Sequence, residues 1–215
     1  MAWEADYVTR DQFKNYVRIP LDDNRDDTQI GSVITTSSRA VDRAVSIRPN
    51  GMGAFRQFGL VDAPESRYYT ARWDSKLFRW VVEIDDLMIT AGMTVQFDND
   101  RDDVFETFTA DYILRPRDAA LRNRPYTQIA IGVTGAQPTL FQDAVKVFAQ
   151  WGWSSIPVTV QTATLVQAHR WFKRREAPLG GAGSSAKGTA TEVVTDLDAD
   201  VETMLVTYRK LRFTA

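Results

Sequence analysis

The sequence predicts an α+β protein, a small four-helix bundle with a β-rich, mainly antiparallel insertion between its second and third helices. Three observations predict it. Apolar residues recur at helical spacing towards both ends of the chain, the spacing falls to two in the middle, and runs such as Pro49-Asn50-Gly51 mark where the period changes. On this reading residues 1–55 and 154–215 form the helical part and residues 56–153 the insertion.

The first helix starts at Thr9, which stands at capping-box spacing from Gln12, with Val8 and Phe13 placed to close a hydrophobic staple. Phe13, Tyr16 and Val17 give it an apolar face, and Pro20 stops it. The polar run from Asp22 to Asp27 leads into a second helix near residues 27–47. There Ile30, Val33, Ile34, Val41, Ala44 and Val45 lie on one side, while Thr36, Arg39, Asp42 and Arg43 face mostly away.

In the insertion, Tyr69, Ala71 and Trp73 alternate with polar neighbours as one strand. Asp74-Ser75-Lys76 makes a turn, and Trp80, Val82 and Ile84 alternate again. Met93, Val95 and Phe97 form a further strand, with residues 104–108 as its partner. Tyr112 with Leu114, Ile129 with Ile131, and Val145, Val147 and Ala149 complete the set.

The stretch Trp151 to Gly183 reads as a strand end, a tight connection and one long helix. Ser155 is placed to cap that helix, and Pro157 suits its first turn, where a missing N–H costs nothing. Two apolar stripes follow it, Val158, Leu165, Ala168 and Phe172 on one and Ile156, Val160, Ala163 and Trp171 on the other. A surface helix of a monomer needs one stripe. The second therefore predicts an interface with a neighbouring copy or another partner. Leu179 to Thr195 is small, polar and glycine-rich. In the last helix Asp196 is the cap, Leu197, Val201, Met204, Leu205, Tyr208 and Leu211 are the apolar side, and Arg209, Lys210 and Arg212 form the basic end.

Composition narrows the function. A net charge of −2 over 215 residues argues against a protein whose main task is holding nucleic acid. With no cysteine there is neither a disulfide framework nor a thiolate metal site, which fits a reducing compartment. No apolar run approaches the ~20 residues of a membrane helix, and the N-terminus lacks a signal pattern, so the expectation is a soluble, unexported chain.

Few residues invite chemistry. The single histidine, His169, sits on the polar side of the third helix without an identifiable nucleophile or carboxylate partner. Asp98, Asp100 and Asp102 have the spacing that opens a calcium loop. Asp103 stands where such a loop needs glycine, though, and Thr109 where it needs a bidentate glutamate, so a solvated hairpin tip is the stronger reading. Lys173, Arg174 and Arg175 close the third helix, where cations are favoured in any helix and where DNA could also be met. Two alternatives remain open. One is a hydrolase using paired carboxylates such as Asp85 and Asp86, which as strand neighbours point to opposite faces. The other is a β-sheet glycan-binding module drawing on Tyr69, Trp73 and Trp80, although the alternation assigns those rings to the insertion's core.

Trp151-Gly152-Trp153, Ile156-Pro157, then Ala163, Gln167, Ala168, Arg170 and Phe172, then Arg174-Arg175-Glu176-Ala177-Pro178 and Gly180 resemble the tailed-phage head-to-tail connector (adaptor) family. Residues 9–19 and the helix near 27–47 resemble the first two helices of that family, and the likeness covers about half the chain. The resemblance implies a structural virion protein of the neck, not an enzyme, with no cofactor and no membrane contact. It implies a dodecameric ring with a central DNA channel. The portal would sit on one side and a stopper or terminator on the tail side, with assembly in the host cytoplasm. The residues expected at the oligomer or portal interface are Ile156, Val160, Ala163, Trp171, Arg209, Lys210 and Phe213, and those expected to face DNA are Lys173, Arg174 and Arg175. Minimal members of the family are almost wholly helical, so the insertion is the main departure.

Overall fold

The computed structural model describes residues 5–46, 56, 58–107, 111–135, 137–176 and 197–209. Among them are four α-helices, α1 (Arg10–Val17), α2 (Asp27–Val45), α3 (Val158–Glu176) and α4 (Ala199–Leu205), with eight strands between α2 and α3. The chain is therefore α+β with a β-rich region between its second and third helices. Contacts divide it into two compact units, Met1–Arg56 with Ile156–Ala215, and Gln57–Ser155.

In the helical unit α1 carries the expected capping box. The Thr9 hydroxyl accepts from the Gln12 amide at 3.2 Å, and the Gln12 side chain accepts from the Thr9 amide at 2.8 Å. The helix ends at Val17, before Pro20, because Arg18 turns left-handed (φ 62°). Phe13 packs edge-on against Phe172 of α3 at 5.6 Å, inside a core shared with Val8, Ile30, Ile34 and Ala168. Lys14 is buried on the other side of α1. Its ammonium meets the Asp27 carboxylate at 2.6 Å and the Asp23 carbonyl at 2.9 Å, so the polar run before α2 folds around one cation.

Asp42 does not face away from α2 as its helical position suggested; it is buried. The segment before α1 lies along that face. Tyr7 donates its amide to the Ser38 hydroxyl at 3.1 Å and its phenol to Asp42, and Arg39 pairs with Asp42 at 3.2 Å while bonding the Ala5 carbonyl at 2.7 Å. A buried carboxylate needs such partners, since an unpaired one costs several kcal/mol, on the order of 3–5. Periodicity could not reveal a covering segment that is neither helix nor strand.

The second unit pairs two antiparallel sheets of four strands, ordered β1-β8-β4-β5 and β2-β3-β7-β6. The strands are β1 (Glu65–Tyr69), β2 (Ala71–Asp74), β3 (Arg79–Leu87), β4 (Ile89–Phe97), β5 (Glu106–Thr107), β6 (Tyr112–Arg115), β7 (Tyr126–Ile131) and β8 (Val145–Gln150). One core takes residues from both sheets: Val82, Ile84, Ile129 and Ile131 from one, and Val95, Phe97, Val145, Val147 and Ala149 from the other. The stretch read as a single strand through Tyr69 and Trp73 is two. The chain changes sheets at Thr70, so Tyr69 pairs with Val145 and Ala71 with Val82. Alternation persists through the switch, which is why the sequence hides it. Among the described residues the partner expected for β4 is there as β5, with Gln96 opposite Thr107 and Phe97 opposite Glu106.

Trp151 and Trp153 are both fully buried, and Gly152 between them has φ 109°. Its amide donates to the Asp86 carbonyl at 2.7 Å, its carbonyl accepts from Met88 at 3.2 Å, and the Trp153 amide donates to the Gly59 carbonyl at 2.8 Å. A Cβ on Gly152 would stand 1.9 Å from the Gly59 oxygen. Gly152→Ala therefore meets both a backbone clash and a dihedral closed to L-residues. It is expected to cost about 3 kcal/mol or more, read as a fall in the denaturant midpoint; an unchanged midpoint would contradict this packing.

Candidate functional site

The helix that carries most of the family resemblance, α3, buries one stripe, not two. Val160, Ala163, Thr164, Gln167, Ala168 and Phe172 are buried together, which merges members of both expected stripes and adds two polar residues. Val158 is 75% exposed and belongs to neither. Val160 and Ala163, expected at a subunit interface, are fully buried in the helical unit. Ile156 and Trp171 are half-buried and keep an open side. Ser155 is not the cap; the carbonyl of Pro157 accepts from Val160 and Gln161 at 2.9 and 3.1 Å, so the helix starts behind the proline.

The polar members have a definite task. Gln167 accepts from the Asp198 amide at 3.0 Å, and Arg170 meets the Asp198 carboxylate at 2.8 Å. That carboxylate also accepts from the Asp200 amide at 3.0 Å, so Asp198 caps α4 while α3 holds it. The expected cap, Asp196, lies outside the described residues, as do Lys210, Arg212, Phe213 and the side chain of Arg175. Lys173 and Arg174 are exposed in the last turns of α3, where their charge suits the helix's negative end. Arg209 is half-buried just after a 3-10 turn of Val206–Tyr208. His169 packs edge-on against Tyr16 at 5.8 Å, a structural contact.

The carboxylates proposed for hydrolysis are engaged separately. Asp85 takes bonds from Arg67 at 2.8 Å and from the Tyr69 phenol at 3.0 Å. Burial, reinforced by the Asp85 charge, pushes the Tyr69 phenol far above its ordinary pKa. Asp86 is buried and accepts from the Trp153 indole at 2.8 Å. The two side chains serve different partners and do not form a catalytic pair.

The β-unit bears two surface features. The first is the β2–β3 hairpin. Asp74 accepts from the Lys76 and Leu77 amides at 2.9 and 3.1 Å, and the turn leaves Phe78 73% exposed at φ 48°. A left-handed backbone at a bulky residue costs about 1 kcal/mol, and here it turns a phenyl ring out to solvent. Trp73 is 41% exposed and edge-on to Trp80 across the hairpin at 5.6 Å, so it is not the core residue that alternation suggested.

The second feature is a cleft of about 530 Å³ at the end of the other sheet, lined by Tyr68, Phe105 and Phe141 with Asp98, Asp103 and Asp143. Arg101 lies over Phe141 at 3.5 Å and Lys146 over Phe105 at 5.4 Å. Asp98 organises its wall, accepting from the amides of Arg101 at 2.7 Å and Asp103 at 3.2 Å. One oxygen each of Asp98, Asp100 and Asp102 falls within 4.8 Å of the others. Buried Asp98 thus spends its lone pairs on the loop's own N–H groups, as a turn residue does. The sequence passed over this cleft because its rings come from three separate segments. The hairpin had a signal: Leu77-Phe78, an apolar pair where turns are usually polar.

No protein-family model matches the chain, and no curated protein sequence matches it. Solved structures do. A chain in the neck of an empty gene transfer agent (GTA) particle, computed with C6 symmetry, aligns with a TM-score of 0.51 at 14% identity, over 96% of this chain and 91% of that one. A chain in the virion of the native GTA particle aligns at 0.48 with 18% identity over the same shares. At 14% identity the first likeness shows a shared fold, and it runs through helices and sheets alike.

The negative charge of Asp102 holds the Asp100 carboxyl above its ordinary pKa. An acid whose folded pKa is raised stabilises the fold at low pH and loses that contribution as pH rises through the folded value. Asp100→Asn is therefore expected to raise the melting temperature slightly at neutral pH and not at all below the carboxylate range. If the loop is only a turn, calcium leaves both proteins unchanged; a calcium-dependent rise in the parent alone would mark a cation site.

Proposed function

We propose that this chain is a structural protein of the neck of a phage-like particle, a head-to-tail adaptor. Its copies close into a dodecameric ring between the portal and a tail-side stopper or terminator, leaving a channel through which DNA passes. The observation that carries this reading is the whole-chain likeness to a chain in the GTA neck, β-unit included. The sequence pattern of Trp151 to Gly180, which resembles connector proteins, supports it independently. On this reading the helical unit supplies the ring's frame. Its contact side takes Ile156, Trp171, Arg209, Lys210 and Phe213, while Lys173, Arg174 and Arg175 face the channel. The modest net charge suits a channel that lets DNA slide.

Trp171→Asp and Ile156→Asp are expected to leave a folded chain that fails to enter particles, producing heads without tails. Val160→Asp, by contrast, puts a charge in the core and is expected to cost about 4 kcal/mol or more, unfolding the helical unit. Electron microscopy of particles from cells expressing each variant, with melting curves of the purified chains, separates the cases. Normal necks built from both Trp171→Asp and Ile156→Asp chains would remove this face from the interface.

A further inference from the structure

The hairpin and the cleft are matched in chemistry. The hairpin presents Leu77 and Phe78 between the cations Lys76 and Arg79, with Trp73 beside them; the cleft presents three aromatic rings with Asp103 and Asp143 at its rim. Asp100 and Asp102 add charge next to Asp98, against the two cations Arg101 and Lys146 that lie over rings. A volume of about 530 Å³ lies within the range of ordinary ligand pockets and has room for a large apolar side chain. No hairpin residue lines the cleft of its own chain.

We propose that the hairpin tip of one copy, led by Phe78, docks in the Tyr68–Phe105–Phe141 cleft of the next copy. The ring supplies the aromatic anchor and Lys76 and Arg79 meet Asp103 and Asp143. Such a contact uses two different patches of one molecule, so it is head-to-tail, the kind of interface that closes into rings when the rotation permits. A buried aromatic anchor surrounded by a charged rim is also how binding energy is usually distributed at interfaces. This inference rests on the ring reading and gives the β-unit its part in it.

The absence of cysteine from the sequence makes the test clean. Leu77→Cys and Gln142→Cys chains, which keep the Phe78 ring, are purified separately, mixed in equal amounts and oxidised, both free at high concentration and in assembled particles. The expected result is a mixed disulfide dimer in clear excess over either like pair. Lys76→Glu with Arg79→Glu in the hairpin partner is expected to lower its yield about tenfold, and Asp103→Lys with Asp143→Lys in the cleft partner to restore it. Melting curves confirm that these surface variants fold. Statistical pairing of the cysteines, in particles whose necks contain this chain, overturns the contact and leaves the ring standing. A chain that stays monomeric and is missing from particle necks overturns both.

Discussion

The β-unit depends on one close backbone approach. At Gly152 three stretches of chain meet: the strand end at Trp151–Trp153, the Gly59–Val61 segment, and the end of β3 at Asp86–Met88. Only a residue without a side chain lets the Gly59 carbonyl come so near. Once those segments are joined, the flanking indoles are fixed in the interior. Trp151 donates to the Glu65 carbonyl at 2.9 Å and Trp153 to buried Asp86. Each fully buried large apolar side chain contributes about 1.5–3 kcal/mol, so this crossing secures two of the largest contributions in the unit.

The helical unit is organised by α3 in a comparable way. Phe172 closes the core against α1, Val160 and Ala163 fill its interior, and Gln167 with Arg170 captures the cap of α4. The residues that produce the connector-like pattern are therefore mostly packing and docking residues. A pattern of that kind reports a fold directly and an activity only through it.

The helices and strands were legible because period and capping chemistry are local properties. The Thr9–Gln12 box, the apolar faces of α1 and α2 and the pairing of residues near 97 and 106 could all be read from spacing. What spacing could not reveal was non-local. Asp42 looked exposed until the segment through Tyr7 covered it. The two stripes of α3 proved to be one because Thr164 and Gln167 are buried with partners. Trp73 looked like core although its strand lies at a sheet edge. The cleft was invisible because Tyr68, Phe105 and Phe141 are far apart in sequence and meet only when β1, β5 and the loop before β8 come together.

The lengths of the strands bear on how many copies of this chain can be crowded together safely. Among the described residues the outermost strands of both sheets are short, β1 with 5 residues and β5 with 2, β2 and β6 with 4 each, while the inner strands run to 6 or 9. The exposed main-chain rims are correspondingly brief, and β1 carries the charged pair Glu65 and Arg67. Long, flat rims invite strand-to-strand fusion between molecules, and short, charged ones discourage it. In the proposed ring, neighbours held side by side would thus recognise one another through side chains, which allow a defined stoichiometry, instead of through open-ended hydrogen-bond ladders that grow into fibrils.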